Sequence, residues 1–235
     1  NINDAPSGTV TISGTPTQGQ VLTASNNLVD PDGIPSSGAG AISYQWKANG
    51  AAISGATGTT YTLTQAEVGK TITVTASYTD NYGTAEAVTS VATAVVANIN
   101  DAPSGTVTIS GTPTQGQVLT ASNNLVDPDG IPSSGAGAIS YQWKANGAAI
   151  SGATGTTYTL TQAEVGKTIT VTASYTDVYG TAEEETSDPT SVVANINDAP
   201  SGTVTISGTP TQGQVLTASN NLVDPDGIPS SGAGA

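Results

Sequence analysis

Apolar and polar residues alternate along short stretches of this chain, and clusters of Gly, Pro, Asn and Asp separate the stretches. A period of two marks a half-buried β-strand. Residues 9–13 place Val10 and Ile12 on one face, and Gly14-Thr15-Pro16 closes the run. A second strand is predicted over 20–28, followed by a Pro/Gly/Ser-rich loop over 30–41. Residues 42–48 set Tyr44 and Trp46 on one face, with Gln45 and Lys47 on the other. Asn49-Gly50 is a strong two-residue hairpin signal. Residues 59–63 bring Tyr61 and Leu63 together. The clearest strand is 71–78, with Ile72, Val74, Ala76 and Tyr78 inward and Thr and Ser outward. Asp80-Asn81-Tyr82-Gly83 reads as a turn, and a last strand is expected over 85–96. A single turn at 65–68 is the one place where helix fits.

The whole pattern then repeats. Asn1-Ile2-Asn3-Asp4-Ala5-Pro6 returns from Asn98 and again from Asn195, a period of 97 residues. The expected domains are 1–97 and 98–194, with 195–235 a partial third that supplies two strands and a loop. An alternative framing takes 42–138 and 139–235 as the complete units. The two full copies differ at six places: Asn81/Val178, Ala87/Glu184, Val88/Glu185, Val91/Asp188, Ala92/Pro189 and Ala94/Ser191. A period this long exceeds a solenoid turn and suits an autonomous domain. Near-identical beads in series suit a device whose output is length or multivalency, and they argue against an enzyme.

Composition narrows the chemistry. The chain has no Cys and no His, so disulfides, thiolate or imidazole metal sites, and Cys–His nucleophile pairs are excluded. All four basic residues are Lys, against 18 acidic residues, for a net charge of -14. That balance, with no Arg, argues against nucleic-acid binding, which needs cations facing phosphates. No apolar run approaches the roughly 20 residues of a membrane span.

About seven short strands per repeat, with one Trp on the third, define an all-β chain of tandem immunoglobulin-like sandwiches. Trp46, Asn49-Gly50, Tyr61-Thr62-Leu63 and Ala66-Glu67-Val68-Gly69 follow the order of strands C, E and F in that family. Ala24 and Ala76 stand where the family places its cysteines. The segment Asn98-Ile99-Asn100-Asp101-Ala102-Pro103 resembles the calcium-binding linker of cadherins. It is closer still to the Asn-x-Asn-Asp-Ala-Pro linkers of bacterial cadherin-like repeats. Asn100 and Asp101 match that motif, whereas Asn98 and Ala102 depart from it, which implies one or two ions at most.

The sandwich topology implied by the resemblance supplies the other ligands. At the first junction they are Glu67 from one repeat with Asn100, Asp101, Asp127, Asp129 and Asp177. The start of the first repeat offers Asn3, Asp4, Asp30, Asp32 and Asp80, and the second junction offers Glu164, Asn197, Asp198, Asp224 and Asp226. Oxygen-only, loop-borne, largely anionic ligands suit Ca²⁺. Asp-Pro-Asp-Gly is equally an ordinary turn sequence, and the residues alone leave both readings open.

Taken whole, the chain resembles the tandem-repeat extender of large bacterial surface adhesins of the repeats-in-toxin, biofilm type. That resemblance implies an extracellular rod stiffened by Ca²⁺, with neighbouring repeats as partners. Two other classes remain: a self-associating filament subunit completed by strand addition, and a carbohydrate- or ice-binding module built on Thr-rich faces.

Overall fold

A computed structural model of the protein describes residues 2–228. The chain forms two compact units, residues 1–101 and 102–235. In the first, the strands are β1 (Val10–Ser13), β2 (Val21–Asn26), β3 (Ser43–Ala48), β4 (Ala51–Ala52), β5 (Thr60–Thr62), β6 (Ile72–Thr79) and β7 (Ala85–Thr89). They build two antiparallel sheets, ordered β1-β2-β5 and β4-β3-β6-β7. The two sheets face each other as a β-sandwich, in the strand order that the immunoglobulin-like resemblance implies. A parallel bridge between Thr17 and Ala97 ties the end of the unit back to its first turn.

The core lies between the sheets. Val10, Leu22 and Ala24 come from one sheet, and Trp46, Ile72, Val74 and Ala76 from the other. Trp46 is fully buried, and its Nε1–H donates to the Gly58 carbonyl at 2.9 Å. Its ring centroid lies 6.1 Å from that of Tyr61. Ala24 and Ala76 are both buried at the expected cysteine positions, so packing alone joins the sheets there. The Asn49-Gly50 hairpin forms as expected: both residues take positive φ, 46° and 82°, as a type I′ turn requires. Asn49 Oδ1 also accepts from the Thr71 N–H at 2.9 Å, which pins the hairpin to the next sheet strand.

Two local features differ from the sequence expectation. The last strand stops at Thr89 instead of running to residue 96. Beyond it, hydroxyls replace carbonyls in the ladder: Val74 N–H donates to Ser90 Oγ and Ile72 N–H to Thr93 Oγ1, each at 3.1 Å. Serine and threonine side chains can take over backbone pairing in this way. The face of β6 assigned to solvent is also not uniform. Thr75 is buried, and its hydroxyl pairs with that of Thr89 at 2.8 Å.

The second unit repeats the plan with β8 (Val107–Ser110), β9 (Val118–Asn123), β10 (Ser140–Ala145), β11 (Ala148–Ala149), β12 (Thr157–Thr159), β13 (Ile169–Thr176) and β14 (Ala182–Thr186). A two-stranded hairpin, β15 (Val204–Ser207) with β16 (Thr217–Asn220), follows. Val204 is 66% exposed there, whereas its counterpart Val107 is 4% exposed in the complete sandwich.

Most of the six differences between copies fall where burial is low. Val91, which becomes Asp188, is exposed, and Ala92 becomes Pro189 between the two hydroxyl-bonded positions, where the regular ladder has already ended. Val88 packs at the core edge, and Glu185 occupies that half-buried place in the second copy. A glutamate stem covers apolar surface while its carboxylate reaches water. No helix among the described residues is long and apolar enough to cross a membrane.

Candidate linker site

The Asp-Pro-Asp-Gly loop and the turn after β6 meet at one end of each sandwich. In the first unit Asn81 N–H donates to the Gly33 carbonyl at 3.2 Å. Gly33 has φ +85°, and a Cβ there would fall 2.2 Å from Asn81 Nδ2. Glycine therefore provides both the turn and the close approach. In the second copy the same contact is made by Val178 N–H to the Gly130 carbonyl, at 3.2 Å.

Three carboxylates are buried in this loop pair. Asp30 Oδ1 accepts from the Asp32 N–H at 2.8 Å, and Asp30 Oδ2 accepts from the Tyr78 hydroxyl at 2.5 Å. Asp32 Oδ2 accepts from the Asp4 N–H at 2.8 Å, which draws the first residues of the chain onto the loop. Asp80 Oδ1 accepts from the Tyr82 and Thr84 N–H groups, each at 2.8 Å. Asn3 points elsewhere, with Nδ2 donating to Glu86 Oε1 at 2.7 Å. In the second unit Asp127 holds Asp129 N–H at 2.8 Å and the Tyr175 hydroxyl at 2.6 Å, and Asp177 holds Tyr179 and Thr181 N–H at 2.8 Å.

Glu67 and Glu164 have a different setting. Each closes a capping box on a short 3₁₀ turn, Gln65–Glu67 and Gln162–Glu164. Glu67 Oε2 accepts from Thr64 N–H at 3.0 Å and Thr64 Oγ1 at 2.8 Å, so a structural bond occupies that oxygen. Glu67 also acts on Tyr61, whose phenol is pushed up to about 12, first by burial and then by this carboxylate.

The linker residues are held from behind. Gln18 Nε2 donates to Asp101 Oδ2 at 2.6 Å, and Gln18 Oε1 accepts from Ile99 N–H at 3.1 Å. Asn100 is exposed beside them. At the second linker, Asp198 Oδ2 accepts from Gln115 Nε2 at 2.7 Å. Asp198 N–H donates to Asp226 Oδ2 at 2.8 Å, and Asp226 N–H donates to Asp224 Oδ1 at 2.9 Å. Asn197 Nδ2 donates to the Asp198 carbonyl at 3.2 Å. Hydrogen bonds join Asp198, Asp224 and Asp226, which the linker resemblance implies as ligands. Gln18 and Gln115 carry no charge and lie 83 residues from the aspartates they hold, so no local pattern marks them.

The electrostatics leave some oxygens over. Asp80 Oδ2, Asp177 Oδ2, Asn98 Oδ1 and Asp226 Oδ1 are buried without a hydrogen-bond partner. Among the described residues, no three acidic side chains gather closely enough to cage an ion. The Thr84 and Tyr82 N–H groups hold Asp80 below the usual carboxylate range. For Asp177 burial pushes upward, but the Thr181 and Tyr179 N–H groups outweigh it and its pKa is also lowered.

A depressed carboxylate pKa stabilises the fold above the unfolded value of about 3.9, and that contribution disappears as pH falls through the folded value. The melting temperature is therefore expected to drop below about pH 4. An Asp80→Asn/Asp177→Asn variant, which keeps the acceptor oxygens, should show a shallower drop in melts from about pH 5 to pH 2. Parallel wild-type and variant slopes would contradict this origin.

No protein-family model and no curated protein matches the chain. One similar solved structure is a Ca²⁺-stabilized adhesin that helps an Antarctic bacterium reach out and bind ice. The identity is 15% and the TM-score 0.32, over 87% of this chain and 52% of that one. The present chain thus spans about half of that structure's length. At this TM-score the likeness bears on neither fold nor function.

Proposed function

We propose that this chain is an extender segment of a bacterial surface adhesin, a rod of repeated sandwiches whose linkers are stiffened by Ca²⁺. In this reading the domains are 1–97 and 98–194, and 195–235 begins a third. The role is mechanical, the setting extracellular, and the partners of each bead are its neighbours in the chain. The observation that carries the reading is the repetition of a complete sandwich with its linker carboxylate bonded to it, as Asp101 is to Gln18. A net charge of -14 discourages collapse of beads on one another.

The donor chemistry fits a hard cation. The buried Asp80 Oδ2, Asp177 Oδ2 and Asp226 Oδ1 are anionic oxygens lacking a donor. Ca²⁺ takes oxygen ligands from such loops and completes its shell with backbone carbonyls and water. When bound, the ion would supply charge compensation. At the second linker Asp226 Oδ1 is the carboxylate oxygen lacking a donor, and since no three acidic side chains among the described residues gather there, the rest of the shell would fall to carbonyls and water. Glu67 and Glu164, already engaged in their caps, would contribute least.

Titration of Ca²⁺ against EGTA, followed by thermal melting and small-angle scattering, tests the proposal. Ion at about 100 times its dissociation constant should raise the melting temperature by on the order of 10 °C. The maximum dimension should hold or grow. If neither quantity moves, the calcium-stiffened rod is wrong.

A further inference from the structure

The hydrogen bonds at the end of the second sandwich form a continuous path without any ion. Gln115 lies in the turn between β8 and β9. Its N–H donates to the Ala194 carbonyl at 2.9 Å, and Ala194 N–H returns a bond to the Pro113 carbonyl at 2.9 Å. Backbone pairing therefore holds Gln115 beside the last residue before the linker. Its side-chain amide then takes hold of the linker itself. Oε1 accepts from Ile196 N–H at 3.1 Å, and Nε2 donates to Asp198 Oδ2 at 2.7 Å. Asp198 passes the path on through its own N–H to Asp226 Oδ2 at 2.8 Å. Asp226 N–H closes it on Asp224 Oδ1 at 2.9 Å. The first unit contains the first half of the same device, with Gln18 holding Ile99 N–H and Asp101 Oδ2.

We propose that Gln115 is a positioning residue that docks the following repeat through Asp198 and Asp226 independently of metal, and that Gln18 fixes the exit of the first linker in the same way. The proposal rests on the extender reading, since only a rod needs its linker direction set. Glutamine suits the task because one planar amide carries both an acceptor and a donor at fixed separation. Glutamate would lack the donor. Asparagine would fall one methylene short. The bond to Asp198 is charge-assisted, which makes it the stronger of the two. The main-chain pair at Ala194 anchors the glutamine backbone, so the freedom left to the linker is small.

Amide hydrogen exchange on the full 235-residue chain in EGTA tests this directly. In the wild type the Ile196 and Asp198 amides should exchange slowly. In Gln115→Ala both should speed up by roughly tenfold or more, as expected when a local bond opens. Gln115→Glu should separate the two halves: its carboxylate still accepts from Ile196 but repels Asp198, so only the Asp198 amide should accelerate. The Val171 amide, bonded to Ser187 Oγ inside the sandwich, reports an intact fold and should not change in either variant.

Residual dipolar couplings add a readout that local packing would not move. In the wild type, β15–β16 should share one alignment with β8–β14, and in Gln115→Ala it should not. Fast exchange at Ile196 and Asp198 in the metal-free wild type would overturn the proposal, as would unchanged exchange and alignment in both variants. Because every measurement is made in EGTA, its failure is distinct from failure of the calcium response.

Discussion

Replacing Trp46 by alanine is expected to lower the melting temperature of the first sandwich well below that of the second. The indole is fully buried between the sheets, packs near Tyr61 and donates to the Gly58 carbonyl. Truncating a buried Trp costs about 3–5 kcal/mol, from lost transfer energy and the cavity left behind. A domain of this size has about 5–15 kcal/mol in total, and this core is small and rich in alanine. With Trp46 removed, Trp143 is the only remaining indole, so its fluorescence reports the second unit alone. The expected melt has two separated transitions, the Trp143 signal following the upper one. A single transition reported by all probes would show that the two units fold as one, against the bead-on-a-string reading. Trp143→Ala should produce the mirror result.

The second large effect concerns the buried Tyr78–Asp30 pair, and Tyr175–Asp127 in the other unit. Tyr78→Phe preserves the ring in the sandwich but leaves Asp30 Oδ2 buried without its donor. Bonds to a charged group are worth about 1.5–3 kcal/mol, so the unit should melt roughly 10 °C lower. Burial first, and the neighbouring Asp30 second, push the Tyr78 phenol well above its ordinary value. Stability linked to a raised pKa is fully present below the unfolded value of about 10 and is lost as pH rises through the folded one. The wild-type unit should accordingly weaken above about pH 10, and Tyr78→Phe should weaken less steeply there. Melts across that range check both parts. Equal stability of wild type and variant at pH 7 would remove the pair from any structural role.

The loop pair around Asp30 and Asp80 was legible because turn chemistry is local. Asp-Pro-Asp-Gly and Asp-Asn-Tyr-Gly each announce a turn, and the strand count then brings the two loops to one end. The capping box at Thr64–Glu67 is equally available from its spacing, beside the junction-ligand role that the resemblance implies for Glu67. A carboxylate three residues after a threonine serves the cap first, since two donors lie within reach at no cost in chain closure. The early end of the last strand was not legible. Residues 90–96 hold no Gly or Pro to mark a stop, and only the positions of Val74 and Ile72 show that hydroxyls have taken over as acceptors.

What the sequence determined by itself is the all-β class, the repeat, the burial of Trp46, Ile72 and Val74, and the hairpin at Asn49-Gly50. Each follows from periodicity or from a residue's own backbone preference, which are properties of neighbours along the chain. Only the tertiary structure decided which polar groups share bonds. Gln18 meets Asp101 across 83 residues, and Tyr78 meets Asp30 across 48. A polar side chain takes whichever partner the fold brings within about 3 Å, and no local pattern encodes that choice.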